Sequence, residues 1–210
     1  MSGKPGRFIT LEGGEGVGKS TQARLLQEGL RARGINALLT REPGGSGGAE
    51  AIRDLLLGGD DERWNIRTEA LLFAAARADH VRRTIKPALA VGRWVICDRF
   101  IDSSRAYQGG AGLIADDDIM TLHDFGCRGL MPDRTILLTL SIDEASERVR
   151  RRDGAANDRI GRRTDDYHLE VAAMFLTIAQ SEAERVHRVD ASGSVEEVAG
   201  GVLAAISDLL

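Results

Sequence analysis

The chain of 210 residues carries a formal net charge of −4, with 42% apolar and 29% charged side chains. A chain of this size is expected to form one domain, residues 1–210, with a full buried core. The slight acidity argues against a general nucleic-acid binder, and no apolar stretch is long enough for a membrane span or a secretory signal, so the expected setting is cytoplasmic, with neither nucleic acid nor membrane as partner. Two cysteines, Cys97 and Cys127, stand far apart without Cys or His neighbours at metal spacing. They read as buried small apolar residues of a reducing compartment.

Arg7–Glu12 reads as the first strand. It runs into Gly13-Gly14-Glu15-Gly16-Val17-Gly18-Lys19-Ser20, an ungapped G-x-x-x-x-G-K-[ST] match. Such glycines let the backbone curl and aim its N–H groups at phosphate, with Lys19 as a mobile cation and the Ser20 hydroxyl at a Mg²⁺ position. Gly13 to Ser20, with Thr21, are the expected ATP phosphate-binding residues. A helix follows over Lys19–Arg33, with Leu25, Leu26 and Leu30 on one face and Gly34 as its stop.

Asn36–Thr40 is a second strand, and Ala49–Leu57 a helix ending at Gly58-Gly59. Thr68–Lys86 is a long helical pattern, after which Pro87 opens a short helix ending at Gly92. Trp94–Cys97 is a third strand and Asp116–Gly126 a helix. Arg134–Ser141 is a fourth strand whose apolar run Ile136–Leu138 suits burial on both faces. Ser141 and Glu144 have capping-box spacing and open a helix to about Arg152. Tyr167–Glu184 is helical, Val186–Asp190 is a fifth strand, and a second capping box, Ser194 with Glu197, opens a helix to Leu210. This alternation predicts an α/β fold, a P-loop NTPase three-layer α/β/α sandwich on a five-stranded parallel sheet. Ligands in such folds sit beyond the carboxyl ends of the strands.

Charged residues gather at those ends. Thr40-Arg41-Glu42-Pro43-Gly44-Gly45 follows strand two and Asp98-Arg99-Phe100 follows strand three. Asp98 is a candidate, with Ser20, for holding Mg²⁺ or a metal-bound water, and Arg99 for clamping phosphate. The alternative is that Asp98–Arg99 or Arg41–Glu42 are ion pairs that only fix loops. Arg148, Arg150, Arg151, Arg152, Arg159, Arg162 and Arg163 crowd around Asp153-Gly154-Ala155-Ala156-Asn157, the pattern of a basic mobile lid over about 148–163. Phosphoryl transfer needs such positive charge. The alternative is a solvated basic helix face, to which Arg151, Arg162 and Arg163 fit best. No guanine-reading N-K-x-D segment is present, and the chain is too short for a mechanical ATPase, so a small kinase fits better. His80, His123, His168 and His187 are isolated and read as surface or helix-packing residues.

Across nearly its whole length the chain resembles the bacterial thymidylate kinases. The resemblance rests on Glu12 to Ser20, Thr40 to Gly45, Leu72-Phe73-Ala74-Ala75-Ala76-Arg77, Ile85-Lys86-Pro87-Ala88-Leu89, Asp98-Arg99 and Ser103-Ser104-Arg105-Ala106-Tyr107-Gln108-Gly109-Gly110, in matching order and spacing. It implies transfer of the γ-phosphoryl of ATP to dTMP in dTTP biosynthesis, with Mg²⁺, by a homodimer formed through long helices including Thr68–Lys86. It implies Phe73 stacked on thymine, Arg77 reading the base carbonyl edge, and Ser104 and Gln108 at its polar edge. Tyr107 would wall the deoxyribose, Arg99 hold the dTMP phosphate, Glu15 lie near the sugar 3′-hydroxyl, and Arg41 join the dTMP-binding set. Some relatives carry an arginine at position 16, where this chain has Gly16, and draw positive charge from the lid instead. Arg152 and Arg150 are then the lid candidates, completing a catalytic set of Lys19, Arg99, Arg152, Arg150 and Glu15. The family's Asp in strand four is replaced within Leu138-Thr139-Leu140, and Gly161 stands where a Glu is common. Rivals are a kinase for another nucleoside or monophosphate and a non-catalytic nucleotide sensor.

Overall fold

The computed structural model describes residues 6–60, 62–153 and 159–210, without the side chains of Arg152 and Asp153. Five strands, β1 (Phe8–Glu12), β2 (Ala37–Arg41), β3 (Trp94–Asp98), β4 (Arg134–Thr139) and β5 (Val186–Asp190), form one parallel sheet in the order β2-β3-β1-β4-β5. β1 is buried along its whole length, as its apolar run requires at the centre of a sheet covered on both faces. Alternate side chains then face opposite layers. Ile9 and Leu11 join Ile96, Ile136 and Leu138 against α1 (Lys19–Ala32) and α9 (Val195–Ala204). Phe8, Val95 and Cys97 pack on the other side with Ala70 of α3 (Ile66–His80) and Ile119 and Cys127 of α6 (Asp116–Cys127). Both cysteines are buried.

The remaining elements are α2 (Gly47–Leu57), α4 (Lys86–Ala90), α5 (Ile101–Ser104), α7 (Ile142–Asp153) and α8 (Asp165–Ser181). The expected helix Thr68–Lys86 starts earlier, at the Asn65 cap, and passes through a wide π turn at Val81–Ile85 into α4. Pro87 lies in the first turn of α4 and cannot donate backward, so the widened turn, with the Lys86 N–H reaching Val81 O, relieves the conflict. A second π turn, Arg105–Gly110, continues α5, where no helix is expected from the pattern. The Ser194–Glu197 capping box is complete. At Ser141 only half forms: its Oγ accepts from the Glu144 N–H at 3.4 Å, while the Glu144 carboxylate takes the Ser141 hydroxyl. The C-terminal helix ends at Ala204, short of Leu210, and a 3₁₀ turn follows at Ser207–Leu209.

Candidate active site

In the parallel sheet, β1 lies between β3 and β4, so the turns after β1 and β3 open side by side. Leu11 pairs with Asp98, and Asp98 with Arg41, so three strand ends meet at one level. The phosphate loop leaves β1 there. Lys19, buried at the start of α1, donates through Nζ to Gly14 O at 2.5 Å and Gly13 O at 3.2 Å. Burial, and then the nearby Arg99 guanidinium, pull its pKa down to about 7. Ser20 Oγ donates to Asp98 Oδ2 at 2.5 Å, joining α1 to the end of β3.

Arg99 has a φ of 70°, in the left-handed region, and its N–H donates to Leu11 O at 3.0 Å. Its guanidinium donates to Gly13 O at 3.0 Å, Ser103 Oγ at 3.1 Å and Tyr107 Oη at 3.2 Å, and lies 5.0 Å from the Tyr107 ring centroid. Glu12 holds the turn: its carboxylate accepts from the Phe100 N–H at 2.7 Å and the Ser103 hydroxyl at 2.6 Å. Burial, followed by the Asp102 charge, pushes the Glu12 carboxyl up to about 8.

On α3, Glu69, Phe73 and Arg77 recur every four residues and share one face. Arg77 is buried and donates to Glu42 Oε2 at 2.8 Å, Ser104 Oγ at 2.8 Å and Phe100 O at 3.2 Å. Glu42 also accepts from His80 Nδ1 at 3.0 Å, and His80 Nε2 meets Thr40 Oγ1 at 2.8 Å. His80 is thus fully buried inside a polar network, where the sequence pattern shows only an isolated histidine. The alternative Arg41–Glu42 pair does not form: Arg41 pairs with Glu50 at 3.1 Å, and Glu42 faces Arg77.

One cavity of ≈ 460 Å³ runs across these parts. Glu15, Gly16, Gly18, Lys19, Ser20 and Thr21 line it from the loop and α1, and Asp98 and Arg99 from the end of β3. Arg41, Phe73, Arg77, Ser104, Tyr107 and Gln108 line it from β2, α3 and the α5 region. All eight residues proposed for dTMP, and both proposed for metal, therefore share one space with the phosphate loop. Gly13, Gly14 and Val17 line a second cavity of ≈ 330 Å³, between the loop, β4, α7 and α8.

The lid arginines divide. Arg148 reaches the first cavity, whereas Arg150 lines the second and pairs with Glu147 at 3.0 Å, its side chain 70% exposed. Two residues of helix rotate a side chain by about 200°, which is why Arg150 cannot share the direction of Arg148. The Arg152 side chain, and residues 154–158 of the expected lid, lie outside the described residues. Of the arginines that best fit the solvated alternative, Arg162 is exposed while donating to Gly59 O at 3.3 Å, whereas the half-buried Arg163 donates to Glu69 at 2.7 Å.

A family model described as Thymidylate kinase matches residues 11–201. The chain is 57% identical over 206 residues to a thymidylate kinase of Rhizorhabdus wittichii, covering 98% of this chain and 99% of that one. It is 46% identical over 207 residues to a thymidylate kinase of Rhodopseudomonas palustris strain BisB18, covering 98% and 90%. The chain belongs to the thymidylate kinase family.

The crystal structure of a thymidylate kinase from Ehrlichia chaffeensis superposes with a TM-score of 0.78 at 32% identity, over 96% of this chain and 100% of that one. Within this thymidylate kinase fold, Gly16 has a physical reason to lack a side chain. Its φ is +73°, and a Cβ there would lie 2.3 Å from Ala145 O and 3.1 Å from Val149 Cγ2 of α7. The same helix that occupies that space presents Arg148 to the cavity. Glu69 was not singled out from the sequence, and Glu12, Glu42 and Arg148 were named there without the contacts the structure gives them. The signal for Glu69 was its place on the Phe73–Arg77 stripe; for Glu12 and Glu42 it was charge at the end of a buried strand, which needs a partner.

Proposed function

We propose that the chain transfers the γ-phosphoryl group of ATP to dTMP, giving dTDP and ADP, a step of dTTP biosynthesis. The observation that carries this reading is the single cavity in which a phosphate loop faces a compartment walled by Phe73, Tyr107 and the buried Arg77. Phe73 offers a flat apolar face for a pyrimidine. Arg77, its Nε and Nη2 already engaged by Glu42, Phe100 and Ser104, is a rigid donor for a base carbonyl. Gln108 and Ser104 stand at the base's polar edge, Tyr107 walls the sugar, and Arg41 and Glu15 complete the acceptor side. Arg99 grips the acceptor phosphate from its fixed turn. The acceptor phosphate is already an anion, so the reaction needs no general base, only alignment and neutralisation of oxygens. Lys19 exchanges its Gly13 and Gly14 carbonyl partners for phosphate oxygens, and Arg148 adds charge from α7.

Mg²⁺ fits this donor set. Ser20 Oγ and Asp98 Oδ2 are hydroxyl and carboxylate oxygens, the ligands a hard cation takes. Among the described residues no group of three His, Cys, Asp or Glu forms a metal cluster, which suits an ion that keeps its waters and is completed by nucleotide phosphates. Held by Ser20 and Asp98, the ion would supply positive charge that offsets the negative charge of the phosphates.

A homodimer through α3 and α6 is part of the proposal. Leu71 and Phe125 are 55% and 92% exposed on these helices, and burying such side chains favours association. A cytoplasmic setting is part of the proposal, and no helix among the described residues is long and apolar enough to cross a membrane. A coupled ADP-release assay across nucleoside monophosphates tests the activity. dTMP should be the best acceptor, with some dUMP turnover because one methyl discriminates by only about 1–3 kcal/mol. Equal rates on unrelated monophosphates, or hydrolysis indifferent to dTMP, would refute the assignment.

A further inference from the structure

Glu69 is fully buried in the first turns of α3 and touches two different parts of the molecule at once. Its Oε1 accepts from Gln108 Nε2 at 2.9 Å, and Gln108 lines the acceptor compartment. Its Oε2 accepts from Arg159 Nη2 and, at 2.7 Å, from Arg163 Nη2. Both arginines belong to the segment that returns from the lid. Taking a carboxylate out of water is costly unless it is matched, and here two guanidinium groups and an amide match it.

Arg159 is also fully buried, donates through Nε to Leu56 O at 3.0 Å, and leaves Nη1 without a partner. Arg163 lies over the Tyr167 ring at 4.5 Å, and the Tyr167 hydroxyl donates to Tyr107 O at 2.8 Å, again a residue of the acceptor wall. Between the two arginines, Ile160 lines the same cavity. Arg163 also lines the second cavity, together with Gly13 and Gly14 of the phosphate loop and Arg150 of α7. One carboxylate thus joins the acceptor wall to an arginine that shares a cavity with the donor loop.

We propose that Glu69 is a positioning residue that couples the two substrate sites: by holding Gln108 and the Arg159–Arg163 root together, it makes binding of one nucleotide strengthen binding of the other. The inference rests on the dTMP and ATP assignments above. Without the Glu69 charge, two adjacent guanidinium groups repel one another and the root loses its seat, while Gln108 loses its acceptor.

The test is calorimetric titration of dTMP with and without Mg²⁺ and a non-hydrolysable ATP analogue, on the full chain and the variants Glu69→Gln and Arg163→Met. In the wild type the analogue should tighten dTMP at least about fivefold, the lower end of ordinary coupling between sites. Both variants should bring that ratio to within about twofold of unity. Arg163→Met, which leaves the Glu69–Gln108 bond intact, should shift the Kd for dTMP alone by less than about twofold. A residue that only packs would change the Kd values and preserve their ratio. If Glu69→Gln does not fold, the half-buried Arg163→Met decides. A wild-type ratio retained in either folded variant overturns the inference, as does a wild type that binds dTMP with no coupling, which leaves the acceptor assignment standing. A wild type that binds no dTMP removes that assignment and the inference with it.

Discussion

Arg77 Nε and Glu42 Oε2 lie 2.8 Å apart, and both side chains are almost wholly shielded from solvent. The pair joins α3 to the end of β2, and His80 supports Glu42 from behind. Removing one partner of a buried pair strands the other charge, at about 3–5 kcal/mol.

Arg77→Ala should therefore lower unfolding stability by about 3–5 kcal/mol. Adding Glu42→Gln to it should recover part of that loss, because the stranded charge is gone. Urea unfolding of the two single variants and the double variant measures the cycle. Strictly additive losses would mean that the two side chains do not act as a pair.

Lys19 is held close to neutrality by burial, with a pKa of about 7 in the nucleotide-free protein. Phosphate oxygens favour its charged form, so binding of an ATP analogue at pH 8 should draw a proton from solvent. Calorimetry in buffers of different ionisation enthalpy measures that uptake, and Lys19→Ala should abolish both it and turnover while dTMP still binds. An unchanged kcat in Lys19→Ala would remove this residue from the transition state.

Glu12 makes stability depend on pH in a defined window. Its folded pKa, about 8, lies above the ordinary 4.5. The fold therefore binds a proton that the unfolded chain releases between those values. The stabilisation is complete below about 4.5 and is lost as pH rises towards 8. Lys19, lowered to about 7 from 10.5, works oppositely: above pH 7 the unfolded chain holds a proton that the fold gives up, and stability rises with pH. Between pH 5 and about 6 only Glu12 of these two titrates, in the unfolded chain. Glu12→Gln should flatten the fall of Tm there, and parallel curves for the two proteins would show that the carboxyl is not proton-bound.

Gly16→Arg should not transplant the loop arginine of other relatives. A Cβ at a φ of +73° would press against Ala145 O at 2.3 Å, so either the loop or α7 must move. Overpacking of this kind costs about 1–3 kcal/mol. A lower Tm and a lower kcat are expected, and a variant as stable and faster than the wild type would refute the steric account.

The five strands and the phosphate loop were legible because buried parallel strands read as apolar runs and the loop has a rigid residue grammar. Glu69, Phe73 and Arg77 show why the site was only half legible. Phe73 and Arg77 announce themselves by motif, but the carboxylates that hold Arg77 and Gln108 come from elements distant in sequence, and no local spacing links Glu42 to Arg77 or Glu69 to Arg163. The α5 helix and its π turn escaped because Ser103 to Gly110 has no apolar period and ends in two glycines. The Asp165 start of α8 escaped because its cap is Thr164, three residues before Tyr167, where the pattern begins; Thr164 Oγ1 accepts from Tyr167 N at 3.3 Å. Arg148 and Arg150 were indistinguishable in composition, and helix rotation alone sends them to different cavities.

Thr21 and Phe73 both line the ≈ 460 Å³ cavity. A single inhibitor with a pyrimidine head and a polyanionic tail would evict both natural occupants together. Escape by mutation would be narrow, since Lys19, Arg99 and Arg77 would each have to release the drug while still serving the metabolites it imitates.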